Sequence, residues 1–437
     1  MKQLVIKDNS RTLCDSFSSV SRITEKIADK TTEQLEKEGI FIFPESVLQS
    51  DDISGDQIVL QKINNSFVSG NIMGYLGCGD ERLIIRSRFT DGENDYFFQY
   101  LLQHVMGIPN IVDMKTDSSH ESSYLNILMF LFPYYLKNAV RKGIFKTYIK
   151  NEYNDISVKG TIDIPRHIRN NVPFIGNIAY STRDHSYDNE LTELIRHTIE
   201  FLKSKPYGNL IFSKIKVEVK LIVNATPSYE QCDRQKIILL NKEKSVRHAY
   251  FREYRMLQQL CIQILQHQNT QYGYGTRLIH GILFDGAWLW EEYINTLIHD
   301  DFYHPRNKSS EGHQWLFSNS TGKVYPDFIG RDPENRIIAD AKYKPMKNIS
   351  AGDYHQILAY MFRFDAKKGL FLYPEAEEAQ NTILWMNRGV SFEKNVTARS
   401  DVCVLKQGLR LPKDAGNYDE FVSRLKENEK IFIKSIM

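Results

Sequence analysis

The residues best suited to chemistry lie on two short β-like stretches in the C-terminal third of the chain, on either side of a strong turn. Asp332 and Pro333 occupy the first two positions of this turn, as a type I turn prefers. If the turn is centred just after Pro333, Asp327 lies directly opposite Asp340. Opposed residues have Cβ atoms roughly 4.5–5.5 Å apart, so both carboxylates can reach one divalent cation. The pattern predicts a hard oxygen site for Mg²⁺ or Mn²⁺.

A lysine accompanies the two carboxylates. Side chains alternate between the two faces of a strand, which places Lys342 on the face of Asp340 and Tyr343 on the other. A bound cation polarises a phosphoryl oxygen and lowers the pKa of bound water, while an ammonium group orients that water or offsets charge on the reacting phosphate. The predicted reaction is therefore metal-assisted phosphodiester hydrolysis, with Asp327, Asp340 and Lys342 as the catalytic residues.

The context of these residues distinguishes them from an exposed hairpin whose charges simply face solvent, which is the usual origin of an arbitrary Asp-x-Lys. Pro326 precedes Asp327, an apolar run leads into Asp340, and the Asp-Ala-Lys triplet follows. Together these features resemble the signature of PD-(D/E)xK nucleases. The predicted metal ligands are Asp327, Asp340 and the backbone carbonyl of Ala341.

Two neighbouring helical stretches supply candidate supporting residues. In residues 353–361, Gln356 and Tyr360 share one helix face at i, i+4, which resembles the Q-x-x-x-Y element of RecB-like nucleases; a plain amphipathic helix is the alternative. In residues 288–294, Glu292 or Glu291 can add an acidic ligand. Adjacent residues on a helix point about 100° apart, so at most one of the two faces the site, and an exposed pair is the alternative.

Composition bounds the kind of protein that carries this site. The chain has 437 residues and a mass of 51.0 kDa, which indicates two or three domains at roughly 100–200 residues each. Its formal net charge of +2 gives no overall positive field for nonspecific nucleic-acid binding, so any DNA contact is local or assisted by a partner. Five scattered cysteines without a C-x-x-C pair argue against zinc or iron–sulfur sites and are typical of a reduced, cytoplasmic protein.

Two further segments exclude other classes. The N-terminus lacks the apolar core of a secretory signal, and the longest apolar run, residues 124–136, is shorter than the roughly 20 residues of a membrane span. This run predicts a buried helix. The glycine-rich residues 70–77 lack the G-K-[ST] ending of a phosphate-binding loop, so we expect no nucleotide site in this chain.

The predicted fold class is α/β, α+β overall. Residues 1–90 form a β-rich N-terminal unit, and residues 91–245 form a mainly helical scaffold or partner-binding region, which includes a helix capped by Asp188 or Asn189. Residues 246–437 form a PD-(D/E)xK restriction-endonuclease-like domain with a mixed central sheet flanked by helices.

Several blocks, in this order, make the chain similar to the McrC family, the nuclease subunit of the McrBC restriction system, which cuts DNA carrying modified cytosine. The similarity covers most of residues 150–437 and, more loosely, residues 55–150. The blocks are Val158–Asp163, Asp188–Leu191 with the following helix to Thr198, Leu289–Tyr293, Asp340–Tyr343 and Gln356–Tyr360.

The resemblance implies a partner, a McrB-like hexameric AAA+ GTPase that recognises the modified site and whose GTP hydrolysis this chain stimulates. The expected substrate is double-stranded DNA with modified cytosine, the expected cofactor is Mg²⁺ or Mn²⁺, and the partner-contacting residues are expected in the N-terminal half. No membrane is involved. Two alternatives remain at this point: a stand-alone RecB-like nuclease in repair or defence, and a noncatalytic assembly protein for a motor.

Overall fold

The computed structural model describes residues 2–44, 57–90, 92, 94–108, 120–270, 279–305, 313–375, 382–389 and 396–436. Within these residues the chain is a mixed α/β protein. Its strands are β1 (Lys2–Lys7), β2 (Arg11–Leu13), β3 (Phe41–Phe43), β4 (Leu60–Ile63), β5 (Ser66–Ser69), β6 (Ile72–Cys78), β7 (Glu81–Arg86), β8 (Thr147–Asp155), β9 (Thr161–Ile162), β10 (Ile178–Ser186), β11 (His280–Asp285), β12 (Phe302–Tyr303), β13 (Gln314–Phe317), β14 (Thr321–Val324), β15 (Phe328–Gly330), β16 (Ile337–Ala341), β17 (Lys368–Glu375), β18 (Thr382–Gly389) and β19 (Val396–Arg410).

The α-helices lie between these strands and at the C-terminal end. They are α1 (Ser21–Ile27), α2 (Thr32–Lys37), α3 (Tyr96–Met106), α4 (His120–Val140), α5 (Ile164–Asn170), α6 (Glu190–Lys203), α7 (Gly208–Ser213), α8 (Lys216–Ala225), α9 (Arg234–Glu243), α10 (Glu253–Thr270), α11 (Gly286–Ile298), α12 (Ala351–Arg363) and α13 (Tyr418–Ile436).

The chain divides into two compact units. One combines residues 1–124 with residues 275–437, and the other consists of residues 125–274. This division differs from the three consecutive segments predicted from the sequence. The reason is β11, which belongs by sequence to the C-terminal segment but pairs with β3 and β6 of the N-terminal segment.

The N-terminal part of the first unit is β-rich, as its sequence predicts. Its five-stranded sheet has the order β1-β7-β6-β11-β3, and β2, β5 and β4 form a separate three-stranded sheet. The apolar core of this part includes Val20, Ile23, Leu35 and Leu83, all completely buried.

The C-terminal part of the first unit is built on a mixed six-stranded sheet of order β12-β15-β16-β17-β19-β18. β16, β17 and β19 are parallel, whereas β15 and β16 form an antiparallel hairpin. In this hairpin Phe328 pairs with Ala339 and Ile329 with Ile338. This is the register predicted from the turn. The helices predicted around residues 288–294 and 353–361 are present as α11 and α12, and β17 follows α12 in the chain.

The second unit has a helical core around α6. Asn189 caps this helix by accepting hydrogen bonds from the backbone amides of Leu191 and Thr192, and its apolar face packs against α8, α9 and α10. The unit also contains the antiparallel sheet β8-β10-β9, whose strands the sequence did not reveal. Most residues of β8 and β9 are exposed. Their sequences therefore lack the alternation of apolar and polar residues from which a strand is predicted.

The apolar run at residues 124–136 lies in α4. Its residues Leu128, Phe132 and Leu136 are completely buried, which confirms the prediction of a buried helix. None of the helices in the described ranges combines the length and apolar character required to cross a bilayer.

Candidate active site

The β15–β16 hairpin brings the two predicted carboxylates together. Asp340 lies in β16 and is 1% exposed, and Asp327 lies immediately before β15. Oδ2 of Asp327 accepts a hydrogen bond of 2.8 Å from the backbone amide of Ala341. The two carboxyl groups interact, since each affects the pKa of the other. The turn therefore creates a pair of acidic groups in a largely buried position.

Burial and nearby negative charge raise the pKa of both carboxyl groups. The pKa of Asp340 is raised to about 8, first by burial and then by the charge of Asp327, although Lys342 opposes the shift. The pKa of Asp327 is raised to about 6, first by burial and then by the charge of Glu291. Two carboxylates that repel each other in a buried position favour a proton or a cation between them.

Lys342 stands beside this pair, as strand alternation predicts. Its Nζ lies 2.6 Å from Oδ2 of Asp340 and 3.2 Å from Oε1 of Gln356. Its backbone amide donates to the carbonyl oxygen of Leu372 at 2.8 Å. Burial lowers the pKa of the lysine, but the charges of Asp340 and Asp327 outweigh burial and hold it above its usual value. The side chain is therefore a fixed ammonium group.

Helix α12 presents both residues predicted on its face. Nε2 of Gln356 donates to the hydroxyl of Tyr360 at 2.7 Å, and the same side chain accepts from Lys342 through its oxygen. The hydroxyl of Tyr360 in turn meets the backbone of Tyr325, two residues before Asp327. The helix thus connects the lysine to the segment that carries the first carboxylate.

Sequence reasoning missed Asp353, at the start of α12. It forms a capping box with Ser350, and its carboxylate lies 2.6 Å from Nζ of Lys344 and 3.5 Å from Nζ of Lys342. Burial raises its pKa, but hydrogen bonds from Lys344 and Ser350 overcome this and lower it to about 2. The S-x-x-D pattern before the helix was the signal that could have identified it.

On α11, the two glutamates differ in their surroundings. The charge of Glu291 acts on Asp327, whereas Glu292 hydrogen-bonds His304. His304 is a second residue that the sequence did not reveal, and its Nδ1 donates a hydrogen bond of 2.9 Å to the carbonyl oxygen of Asp327. Of the two candidates, Glu291 is therefore the one whose charge reaches the carboxylate pair.

The donor set fits a small, hard divalent cation. Mg²⁺ in phosphoryl-transfer sites is typically held by one or two carboxylates and completed by water and substrate phosphate oxygens. Asp327 and Asp340 supply two such carboxylates, and within the described residues no cluster of three or more His, Cys, Asp or Glu side chains forms a fuller metal site. These two residues therefore suit a cation that is shared with a substrate.

Comparison with known families shows where the chain belongs. Residues 68–374 match the family model described as McrBC 5-methylcytosine restriction system component. The protein therefore belongs to the family of McrBC 5-methylcytosine restriction system components, which confirms the resemblance drawn from the sequence.

Two solved structures resemble the chain at low identity. A half-complex from the tetradecameric assembly of Thermococcus gammatolerans McrB AAA+ hexamers with bound McrC is 13% identical, with 100% of both chains covered and a TM-score of 0.47. The cryo-EM structure of the Thermococcus gammatolerans McrBC complex is 14% identical, covers 68% of this chain and 87% of that chain, and has a TM-score of 0.32. Curated proteins give no match.

Proposed function

We propose that this chain is the metal-dependent endonuclease subunit of a McrBC-like restriction system, with an active site of the PD-(D/E)xK type. One observation carries the proposal: Asp327, Asp340 and Lys342 converge on a single hairpin in a member of the McrBC family. The proposed reaction is cleavage of phosphodiester bonds in double-stranded DNA that carries modified cytosine, and the proposed location is the cytoplasm.

In this proposal each residue has a separate task. Asp327, Asp340 and the backbone carbonyl of Ala341 hold Mg²⁺ or Mn²⁺, which when bound would polarise the phosphate and lower the pKa of a bound water. The ammonium group of Lys342 offsets the charge that grows on the phosphate oxygens. Gln356 keeps that ammonium group in place, since its amide is itself fixed by Tyr360.

The proposal includes a McrB-like AAA+ GTPase whose GTP hydrolysis this chain stimulates. Family membership supports it, and so does the sequence, which has no phosphate-binding loop of its own. The segment that connects β8 to β10 in the second unit exposes apolar side chains, and we propose it as the partner surface. They are Ile156 (80% exposed), Ile164 (63%), Ile168 (58%), Val172 (69%), Phe174 (62%) and Ile175 (78%).

A cleavage experiment tests the proposed activity. Methylated and unmethylated DNA are incubated with Mg²⁺ and the native chain or Asp340→Ala, with and without the GTPase and GTP. We expect cleavage only of methylated DNA, and only with the partner, GTP and an intact Asp340. Partner-independent cutting that still requires Asp340 would favour a stand-alone RecB-like nuclease. Cutting that survives Asp340→Ala would remove this active site.

A second experiment tests the partner surface separately. Replacing Ile164 and Ile168 by aspartate is expected to abolish stimulation of GTP hydrolysis, because the apolar contact is lost. Matched controls are Val217→Asp and Leu239→Asp, which change apolar residues of similar exposure elsewhere in the same unit (69% and 59%). Asp340→Ala should stimulate GTP hydrolysis normally, since it lies outside this surface. Equal loss in the controls would count against the assignment.

A further inference from the structure

Tyr343, the residue after Lys342, is anchored in the N-terminal part of the same unit. Its side chain is 4% exposed. Its hydroxyl lies 2.9 Å from Oγ of Ser87 and 3.4 Å from the sulfur of Met73, so strand ends from the N-terminal sheet hold its polar tip. The polar contacts of this side chain are therefore with residues of the N-terminal part.

A buried ion pair covers the face of this ring. The guanidinium carbon of Arg88 lies 4.8 Å from the centre of the Tyr343 ring, within the range of a cation–π contact. Nη2 of Arg88 lies 2.6 Å from Oδ2 of Asp8, which is completely buried, and Nε donates to the same oxygen at 3.0 Å. Arg88 also donates to the side-chain oxygen of Asn71. These hydrogen bonds therefore hold the guanidinium group in place against the ring.

Helix α11 closes the remaining side. The backbone amide of Gly286 donates to the carbonyl of Asn71 at 2.8 Å. A Cβ atom at Gly286 would lie 2.6 Å from Cε1 of Tyr343, closer than real side chains approach, so the helix touches the ring only because this residue is glycine. We call the five residues around this ring the Tyr343 socket: Asp8, Asn71, Ser87, Arg88 and Gly286.

We propose that the Tyr343 socket positions Lys342, so that residues 1–90 form part of the active-site framework. β16 ends at Ala341, and beyond it the backbone makes only isolated bonds, from the amide of Lys342 to Leu372 and from that of Lys344 to the carbonyl of Lys342. The amide of Lys342 thus makes a single bond to β17 at the point where the ladder ends. The next firm anchor is the ring of Tyr343.

The inference rests on the proposed nuclease function, because misplacement of a lysine matters only where its ammonium group acts on a substrate. A displacement of about 1 Å in a reacting group can cost roughly 10²-fold in rate. The predicted consequence of loosening the socket is therefore a fall in kcat with little change in the KM for DNA, since Tyr343 itself is too buried to touch DNA.

Variants at the ring and in the socket test this idea by steady-state cleavage in the complete complex. We expect Tyr343→Leu to lower kcat per folded molecule by about 10–100-fold, with unchanged KM for DNA and unchanged half-maximal Mg²⁺. Tyr343→Phe keeps the ring under Arg88 and should retain most of the kcat of the native chain. The double change Asp8→Asn with Arg88→Gln removes the cation from the ring and should act in the same direction as Tyr343→Leu.

The matched control is Tyr254→Leu. Tyr254 is also completely buried and donates from its hydroxyl to a backbone carbonyl, that of Gly143 at 2.9 Å, in the second unit. This variant should lose thermal stability to a similar extent while retaining kcat per folded molecule. An equal loss of kcat per folded molecule in Tyr254→Leu would overturn the inference, because the effect would then report general destabilisation.

Amide hydrogen exchange separates failure of this inference from failure of the proposed function. In Tyr343→Leu the amide of Lys342 should exchange faster than in the native chain, while amides in the middle of β17 keep their rates. An unchanged Lys342 amide overturns the inference whatever the cleavage result. If the native chain shows no cleavage that depends on Asp340, the proposed function falls, and the exchange rate alone decides whether the socket anchors Lys342.

Discussion

Two buried aspartates of the first unit differ in what surrounds them. Asp8 is 0% exposed and Asp340 is 1% exposed, and each has a cation at 2.6 Å, Arg88 in one case and Lys342 in the other. The two sites differ in the further group that contacts each aspartate. Asp8 also accepts a hydrogen bond of 2.5 Å from the backbone amide of Arg88, whereas Asp340 faces the carboxylate of Asp327.

This difference separates an ion pair that stabilises the fold from a site that needs a further cation. Burial raises the pKa of Asp8 only to about 6, because Arg88 opposes the shift through its charge and its hydrogen bonds. At Asp340 the second carboxylate adds to burial, and the pKa is raised to about 8. Buried negative charge in excess of its partners is costly, and strongly perturbed groups in such positions mark functional sites.

The largest effect is expected at Asp340. Asp340→Asn should lower Mg²⁺-dependent cleavage by about 10³-fold, roughly 4 kcal/mol of barrier, because a metal-binding carboxylate is lost. The same change should raise the free energy of unfolding, because it removes repulsion with Asp327 while Lys342 keeps Asp353 as a partner. Urea denaturation and cleavage rates measure the two effects.

The control for Asp340→Asn is Glu334→Gln in the exposed turn of the same hairpin, which should change neither quantity. A marked loss of stability in Asp340→Asn would show that Asp340 belongs with Asp8 as a structural residue, and the contrast between the two sites would disappear.

At Asp8 we expect the same type of substitution to lower the free energy of unfolding. Asp8→Asn leaves the guanidinium group of Arg88, only 12% exposed, without a counterion, and breaking such a buried pair costs about 3–5 kcal/mol. Urea denaturation followed by circular dichroism measures the free energy of unfolding. Asp80→Asn is the matched control, since the ion pair of Asp80 with Arg22 is about half exposed on both sides and should contribute little to stability. Equal losses in the two variants would contradict the prediction.

The candidate site was predictable from the sequence because most of it is local. Asp327 and Asp340 are joined by one short turn whose residues set the strand register, and Lys342 follows by alternation. Gln356 and Tyr360 follow from helical spacing. All of these inferences depend on neighbours within a few positions, where stereochemistry limits the choices.

The Tyr343 socket was not predictable for the opposite reason. Asp8, Arg88 and Tyr343 are far apart in the chain, and nothing in the residues around any of them indicates the others. The same holds for β11, whose partners β3 and β6 lie far away in sequence. Such contacts depend on how whole sheets pack, which a single sequence does not encode in any local pattern.

A third buried group, the imidazole of His197, extends the comparison to the second unit. His197, on α6 of the second unit, is 0% exposed, and neither ring nitrogen has a hydrogen-bond partner among the described residues. Burial, and then the charge of Arg234, lowers its pKa from 6.5 to about 4. Between these values the unfolded chain binds a proton that the folded chain does not, so stability is lost as the pH falls through this window.

The expected loss attributable to His197 is about 3 kcal/mol between pH 6.5 and pH 4, at roughly 1.4 kcal/mol for each pH unit. Replacing His197 by phenylalanine keeps an aromatic ring against Tyr229, whose ring centre lies 4.7 Å away, and removes the titration. Urea denaturation at pH 7 and pH 4.5 should therefore show a smaller decrease for His197→Phe than for the native chain. Identical decreases would show that the imidazole is not held neutral.

The smallest effect is expected from the two glutamates of α11. Their substitution tests whether a third acidic residue acts together with Asp327 and Asp340. Glu291→Gln should lower cleavage by about 10-fold, roughly 1.4 kcal/mol, and raise the half-maximal Mg²⁺ concentration, because Glu291 adds negative charge beside Asp327. Glu292→Gln is the matched control: its carboxylate is more exposed, 34% against 16%, and is directed to His304. A larger effect from Glu292→Gln would reverse this assignment and make Glu292 the third acidic residue.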